Sequence, residues 1–122
     1  MRLAYFIFFF LFISCNNDQE WKYLFNGENL DGWEIKIREH KIGENFKNTF
    51  KVDNGAIKVS YEEYDEFDKK FGHIFYVKEK FKNYHLSLDY KFSGSHLKGA
   101  PGWSVKNSGI MLHCQDPHTM LV

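Results

Sequence analysis

The sequence predicts an all-β domain, a sandwich of antiparallel strands. Three observations point there. Trp33–Arg38 and Tyr84–Phe92 alternate apolar and polar residues with period two, the mark of half-buried strands. Turn pairs Asn26-Gly27, Asp31-Gly32 and Asn54-Gly55 punctuate the chain. Aromatic residues, which favour strands, make up 19% of it, and Phe alone supplies 13 residues. No stretch shows a helical period.

The elements follow in order. Trp33, Ile35 and Ile37 share one face of the first strand, and Glu34, Lys36 and Arg38 share the other. Glu39–Asn48 is polar, contains Gly43 and reads as a loop. Phe50–Val52 and Ala56–Ser60 form a hairpin through Asp53-Asn54-Gly55, because Asn-Gly tolerates positive φ at both central positions. Tyr61–Lys70 carries Glu62, Glu63, Asp65, Glu66 and Asp68 but lacks the spacing of a calcium loop, so it reads as solvated. Phe71–Val77 is a strand and Lys78–Asn83 a basic turn. Tyr84–Phe92 is the strongest strand by alternation. Ser93–Gly102 is a loop, and Asn107–Gln115 a final strand. About six or seven strands are expected. No turn or strand closes the chain after Gln115, so the sandwich is expected to be incomplete at its C-terminus.

Residues 1–14 read as a signal peptide of lipoprotein type. Met1-Arg2 is a positive start, Leu3–Ile13 an apolar run too short to span a bilayer, and Ser14-Cys15 a small residue before a cysteine. The pattern departs from the usual one at Phe12, where Leu is common. The expectation is cleavage before Cys15, lipidation of its sulfur, a polar tether over 15–20 and a domain over 21–122. The competing reading is an ordinary signal peptide. With the anchor, the protein sits in the cell envelope as a periplasmic or outer-membrane lipoprotein. Cys114 is then the one thiol of the mature chain, without a disulfide partner, and its place in an apolar alternation predicts burial. Charge balances at 16 basic and 16 acidic residues, so the basic footprint of a nucleic-acid binder is missing.

Leu24–Trp33 (LFNGENLDGW), Val52–Ile57 (VDNGAI), Tyr84–Phe92 and Trp103–Gln115 with its Asn-Ser-Gly-Ile run occur in the order of a large bacterial family. The chain resembles the 3-keto-disaccharide hydrolase domain, formerly domain of unknown function 1080, from Trp21 to Gln115. The resemblance implies a concanavalin-like jelly roll whose concave face takes carbohydrate. It also implies cleavage of glycosides oxidised at the sugar 3-position, by proton abstraction, β-elimination and hydration. The alternative is a non-catalytic carbohydrate-binding module of the same fold, or an inactive fragment of the enzyme. Lys106 stands where the family usually has Arg and lacks the bidentate fork.

Such chemistry needs a base that works near neutral pH and a donor at the enolate oxygen. Alternation along Asn107–Gln115 puts Ser108, Ile110, Leu112 and Cys114 on a core face. It turns Asn107, Gly109, Met111, His113 and Gln115 towards a ligand. His113 is the candidate base, or else a surface histidine. Asn107 and Gln115 are candidate substrate contacts, although Asn107 can equally cap its own turn. Trp103 can stack on a sugar ring or plug the sandwich edge, and His73 and Lys106 complete the candidate binding set. A divalent cation would polarise a 3-keto oxygen, but no ligand spacing establishes one.

Overall fold

A computed structural model describes residues 20–120. The signal segment and Cys15 lie outside the described residues. Among the described residues four strands form: β1 (Trp33–Ile37), β2 (Phe50–Asp53), β3 (Ala56–Val59) and β4 (Gly72–Tyr76). β1 pairs antiparallel with β4, and β2 antiparallel with β3. The remaining regular structure is three single 3₁₀ turns, Phe46–Asn48, Gly102–Ser104 and Pro117–Thr119. The fold is therefore all-β and antiparallel, as the sequence predicts.

The opening motif builds the entry to β1. The Asn26 side-chain carbonyl accepts from the backbone N–H of Glu28 and of Asn29, at 2.9 and 3.0 Å. Asn29 in turn accepts from the N–H of Asp31 at 3.0 Å. Gly32 has φ +88, and a Cβ there would fall within 2.3 Å of the Lys78 side chain. These residues shape a turn through side-chain caps.

From that turn β1 enters the core. Ile35 and Ile37 are buried with Phe50, and Leu30, Phe46, Ile57 and Ile74 pack around them. Phe50 is fixed by Asn45, whose side chain accepts from the Phe50 N–H and donates to its carbonyl at 3.0 and 2.6 Å. That amide imitates a neighbouring strand for one residue. Thr49, 1% exposed, shares its hydroxyl with the Phe46 carbonyl and the Tyr64 hydroxyl. Each ladder runs one step beyond its strands, through Arg38 N–H to the Phe71 carbonyl and Ser60 N–H to the Thr49 carbonyl, both at 2.8 Å.

Two predicted strands do not form. No residue of Tyr84–Phe92 makes a backbone–backbone hydrogen bond among the described residues, and every one is exposed. Leu86 and Leu88 are 44% and 49% exposed. Alternation selects a face for burial, but a strand also needs a ladder partner alongside, and none lies there among the described residues. Asn107–Gln115 likewise lies outside any strand. His113 has φ +53, a left-handed backbone that breaks the pleat. The assignment of Ser108, Ile110, Leu112 and Cys114 to a core face therefore fails. Ile110 and Leu112 are more than half exposed, and Cys114 is exposed rather than buried.

Candidate functional site

The loop after residue 92 is attached to the body at one end. Phe67 N–H donates to the Lys98 carbonyl at 2.9 Å, and the Trp103 ring stacks on Phe71, nearly parallel, with centroids 5.9 Å apart. Trp103 nonetheless stays 66% exposed. The ring is supported by another aromatic and otherwise keeps an open apolar face. Aromatic contacts continue inward from Phe71 to Phe67, then to Tyr61 and Tyr64. The loop itself is tied by the Ser104 hydroxyl, which donates to the Pro101 carbonyl at 2.7 Å, with His96 Nε2 3.3 Å from Ser104 Oγ.

Asn107 is bonded within its own turn. Its side-chain amide donates to the Trp103 carbonyl at 3.0 Å. Gln115 donates to the Thr119 hydroxyl at 3.2 Å and so braces the last 3₁₀ turn. Lys106 is exposed, with φ +48. A Cβ at Gly109 would meet nothing within 4 Å, so nothing in the described structure requires glycine there. His113 is exposed and has no hydrogen-bond partner among the described residues.

His73 is placed differently. The β1–β4 register sets Lys36 against His73 and Glu34 against Phe75, so these four side chains share one sheet face. Lys36 is buried, and its ammonium group is held by the carbonyls of His40 and Ile37 at 2.5 and 3.4 Å. The turn Pro117–Thr119 brings His118 onto the same face, with Nε2 3.0 Å from Glu34 Oε2. That oxygen is sealed from solvent and the contact is not aligned as a hydrogen bond, so Glu34 keeps an unmet acceptor 3.0 Å from the His118 ring. Sequence reasoning missed this pair. The only available signal was the polar side of β1, which named Glu34 but not its partner.

Elsewhere, charged groups pair at the surface. Lys51 and Lys58 face each other across the hairpin, and Glu62 accepts from both at 2.7 and 3.3 Å. These hydrogen bonds, Lys51 first, hold the Glu62 carboxyl down to about 2. The Lys70 hydrogen bond lowers Glu39, and the His40 hydrogen bond lowers Glu44. Burial raises Tyr61. A recess of about 240 Å³ opens between Phe46, Tyr64, Lys47 and Asp65, away from all the residues nominated from sequence. Among the described residues no three His, Cys, Asp or Glu side chains converge on a point suited to a metal ion. No described helix is long and apolar enough to cross a membrane.

A family model described as the 3-keto-alpha-glucoside-1,2-lyase-like domain matches residues 20–121. The chain belongs to this family. Membership in the 3-keto-glucoside lyase-like family gives it a carbohydrate-related role and a jelly-roll fold class, in keeping with the antiparallel all-β structure. It also agrees with the resemblance carried by the four sequence motifs. No curated protein and no solved structure matches the chain.

Proposed function

We propose that the chain cleaves 3-keto-glycosides. The observation that carries the reading is the family match over residues 20–121. The 3-keto group acidifies the hydrogen on C2. A base takes that proton, the C–H electron pair forms an enediolate, and its collapse breaks the bond from C1 to the leaving oxygen. The departing oxygen takes up a proton, and water then adds at C1 of the glycal. Trp103 supports the sugar ring, with Lys106, three residues on, to meet sugar oxygens. His73, Asn107 and Gln115 are the other contacts nominated from sequence. His113 is the sequence candidate for the base.

The test is incubation of the protein with a 3-keto-disaccharide, with and without divalent metals. The expected result is release of the leaving sugar and of a 2-hydroxyglycal or its hydrate. Binding without turnover under all these conditions would replace the enzyme with a carbohydrate-binding module.

The order of positive start, apolar run and Ser14-Cys15 supports a lipid anchor on Cys15 and a place in the cell envelope. Cys15→Ser is then expected to move the protein from the membrane fraction to the soluble one. Retention in membranes would end the lipoprotein reading.

A further inference from the structure

The proposed reaction needs a base that is both accessible and oriented. His113 is accessible, but no described group orients it. His118 has both properties. Its turn is fixed by the Asp116 side chain, which accepts from the His118 backbone N–H at 2.9 Å. The Thr119 hydroxyl donates to the Asp116 carbonyl at 2.7 Å, and Gln115 donates to that hydroxyl at 3.2 Å. The His118 ring is 60% exposed, yet its Nε2 edge meets Glu34 at 3.0 Å. A carboxylate against one ring nitrogen selects the tautomer and leaves the other nitrogen free for chemistry. Glu34 Oε2 accepts no hydrogen bond among the described residues and is shut off from water, so a proton on Nε2, 3.0 Å away, faces an acceptor with nothing else to satisfy it.

We infer that Glu34 is a positioning residue that holds His118 as the base of the proposed elimination. This inference rests on the reaction reading above. Nε2 faces Glu34 and carries its proton on that side, coming into line as substrate binds, and Nδ1 takes the proton from C2 of the 3-keto sugar. The C–H electron pair passes into the enediolate and then expels the oxygen on C1. The imidazolium returns its proton to that departing oxygen, so the histidine ends as it began. The other charged groups on this side are Lys36 and His73 of the same sheet face and Asp116 of the turn. Lys36 is already held by backbone carbonyls, and the Asp116 carboxylate by the turn's own N–H.

The experiment compares wild type, His118→Ala, Glu34→Gln and His113→Ala on a 3-keto-disaccharide. His118→Ala is expected to lower kcat by about 100-fold or more, the usual scale of general-base catalysis. Glu34→Gln is expected to lower kcat about tenfold at unchanged KM and to displace the acid limb of the pH–rate profile. His113→Ala is expected to cost less than His118→Ala. If His118→Ala turns over like wild type, or the largest loss falls on His113→Ala, the inference fails while the reaction stands.

Nitrogen NMR of the free protein gives a readout independent of turnover and of any folding defect in the alanine variant. Neutral His118 is expected as the Nε2–H tautomer in wild type and as a mixture in Glu34→Gln. A mixture already present in wild type overturns the pairing. An inactive wild type with a fixed tautomer overturns the reaction and the role of His118 in it, but leaves the pairing in place.

Discussion

Ile37→Ala and Leu88→Ala form a decisive pair, because both remove an apolar side chain from a residue in an alternating run. Ile37 is 0% exposed and packs with Ile35 and Phe50 in the core. Replacing it by alanine deletes three carbons. At about 0.8 kcal/mol for each, the transfer loss is roughly 2.4 kcal/mol. The cavity adds about 1 kcal/mol or more, because Phe50 and the β4 backbone cannot collapse fully, giving a total of about 3–4 kcal/mol. Leu88 is 49% exposed in a stretch with no buried residue, so its removal is expected to cost less than about 1 kcal/mol. Urea unfolding followed by tryptophan fluorescence measures both. With an m-value of about 1.5 kcal/mol/M, the Ile37 midpoint falls by about 2 M, and the Leu88 midpoint by under about 0.7 M. Equal losses would mean that Tyr84–Phe92 is packed in the folded protein and that this account of the core is wrong.

Other outcomes follow from single contacts. The Glu62 carboxyl lies at about 2 when folded against an ordinary 4.5, so its contribution is complete above about pH 4.5 and lost as the pH falls towards 2. Glu62→Gln is expected to flatten the acid limb of a stability–pH curve across that window, and an unchanged limb would contradict the clamp on Lys51 and Lys58. Gly55→Ala, at φ +75 with open space around its Cβ, is expected to cost about 1 kcal/mol through backbone strain alone. Gly109→Ala meets neither strain nor neighbours and is expected to stay within about 0.5 kcal/mol, and thermal melts distinguish the two. Trp103→Ala is expected to weaken binding of a 3-keto-disaccharide about five- to tenfold, read by calorimetry, with little change in stability.

Local chemistry explains what was legible in the sequence. Asn54-Gly55 specifies its hairpin within a few residues, and the register Asp53↔Ala56 follows directly from it. The strand Trp33–Ile37 and its two faces were readable because period-two alternation there coincides with real burial of Ile35 and Ile37. Its partner was not readable. Pairing Trp33 with Tyr76 depends on where the intervening loops return the chain, and alternation carries no such information. The same limit explains the two errors. Tyr84–Phe92 has the pattern of a strand without a partner, and Asn107–Gln115 was divided into faces that the left-handed backbone at His113 abolishes. The family motifs were legible as a group, but their roles were not. The opening motif turned out to be a set of side-chain-capped turns, and Asn107 a cap on Trp103.

This difference bears on where the inferred base sits. A base contributes by being held in line with the proton it removes, and exposure supplies access without alignment. Along Asn107–Gln115 the polar side chains are exposed, and those that bond do so within a few residues of themselves, to Trp103 and Thr119. The polar face of β1 and β4 has a different origin. Its neighbours are fixed by an antiparallel register whose reverse side is the core of Ile35, Ile37 and Ile74, so a shift of one residue would expose that core. Glu34 thereby inherits its position from the core packing. His118, although it belongs to an exposed turn, lies 3.0 Å from that fixed carboxylate. A proton acceptor is better placed there than on a segment whose orientation rests on local hydrogen bonds alone.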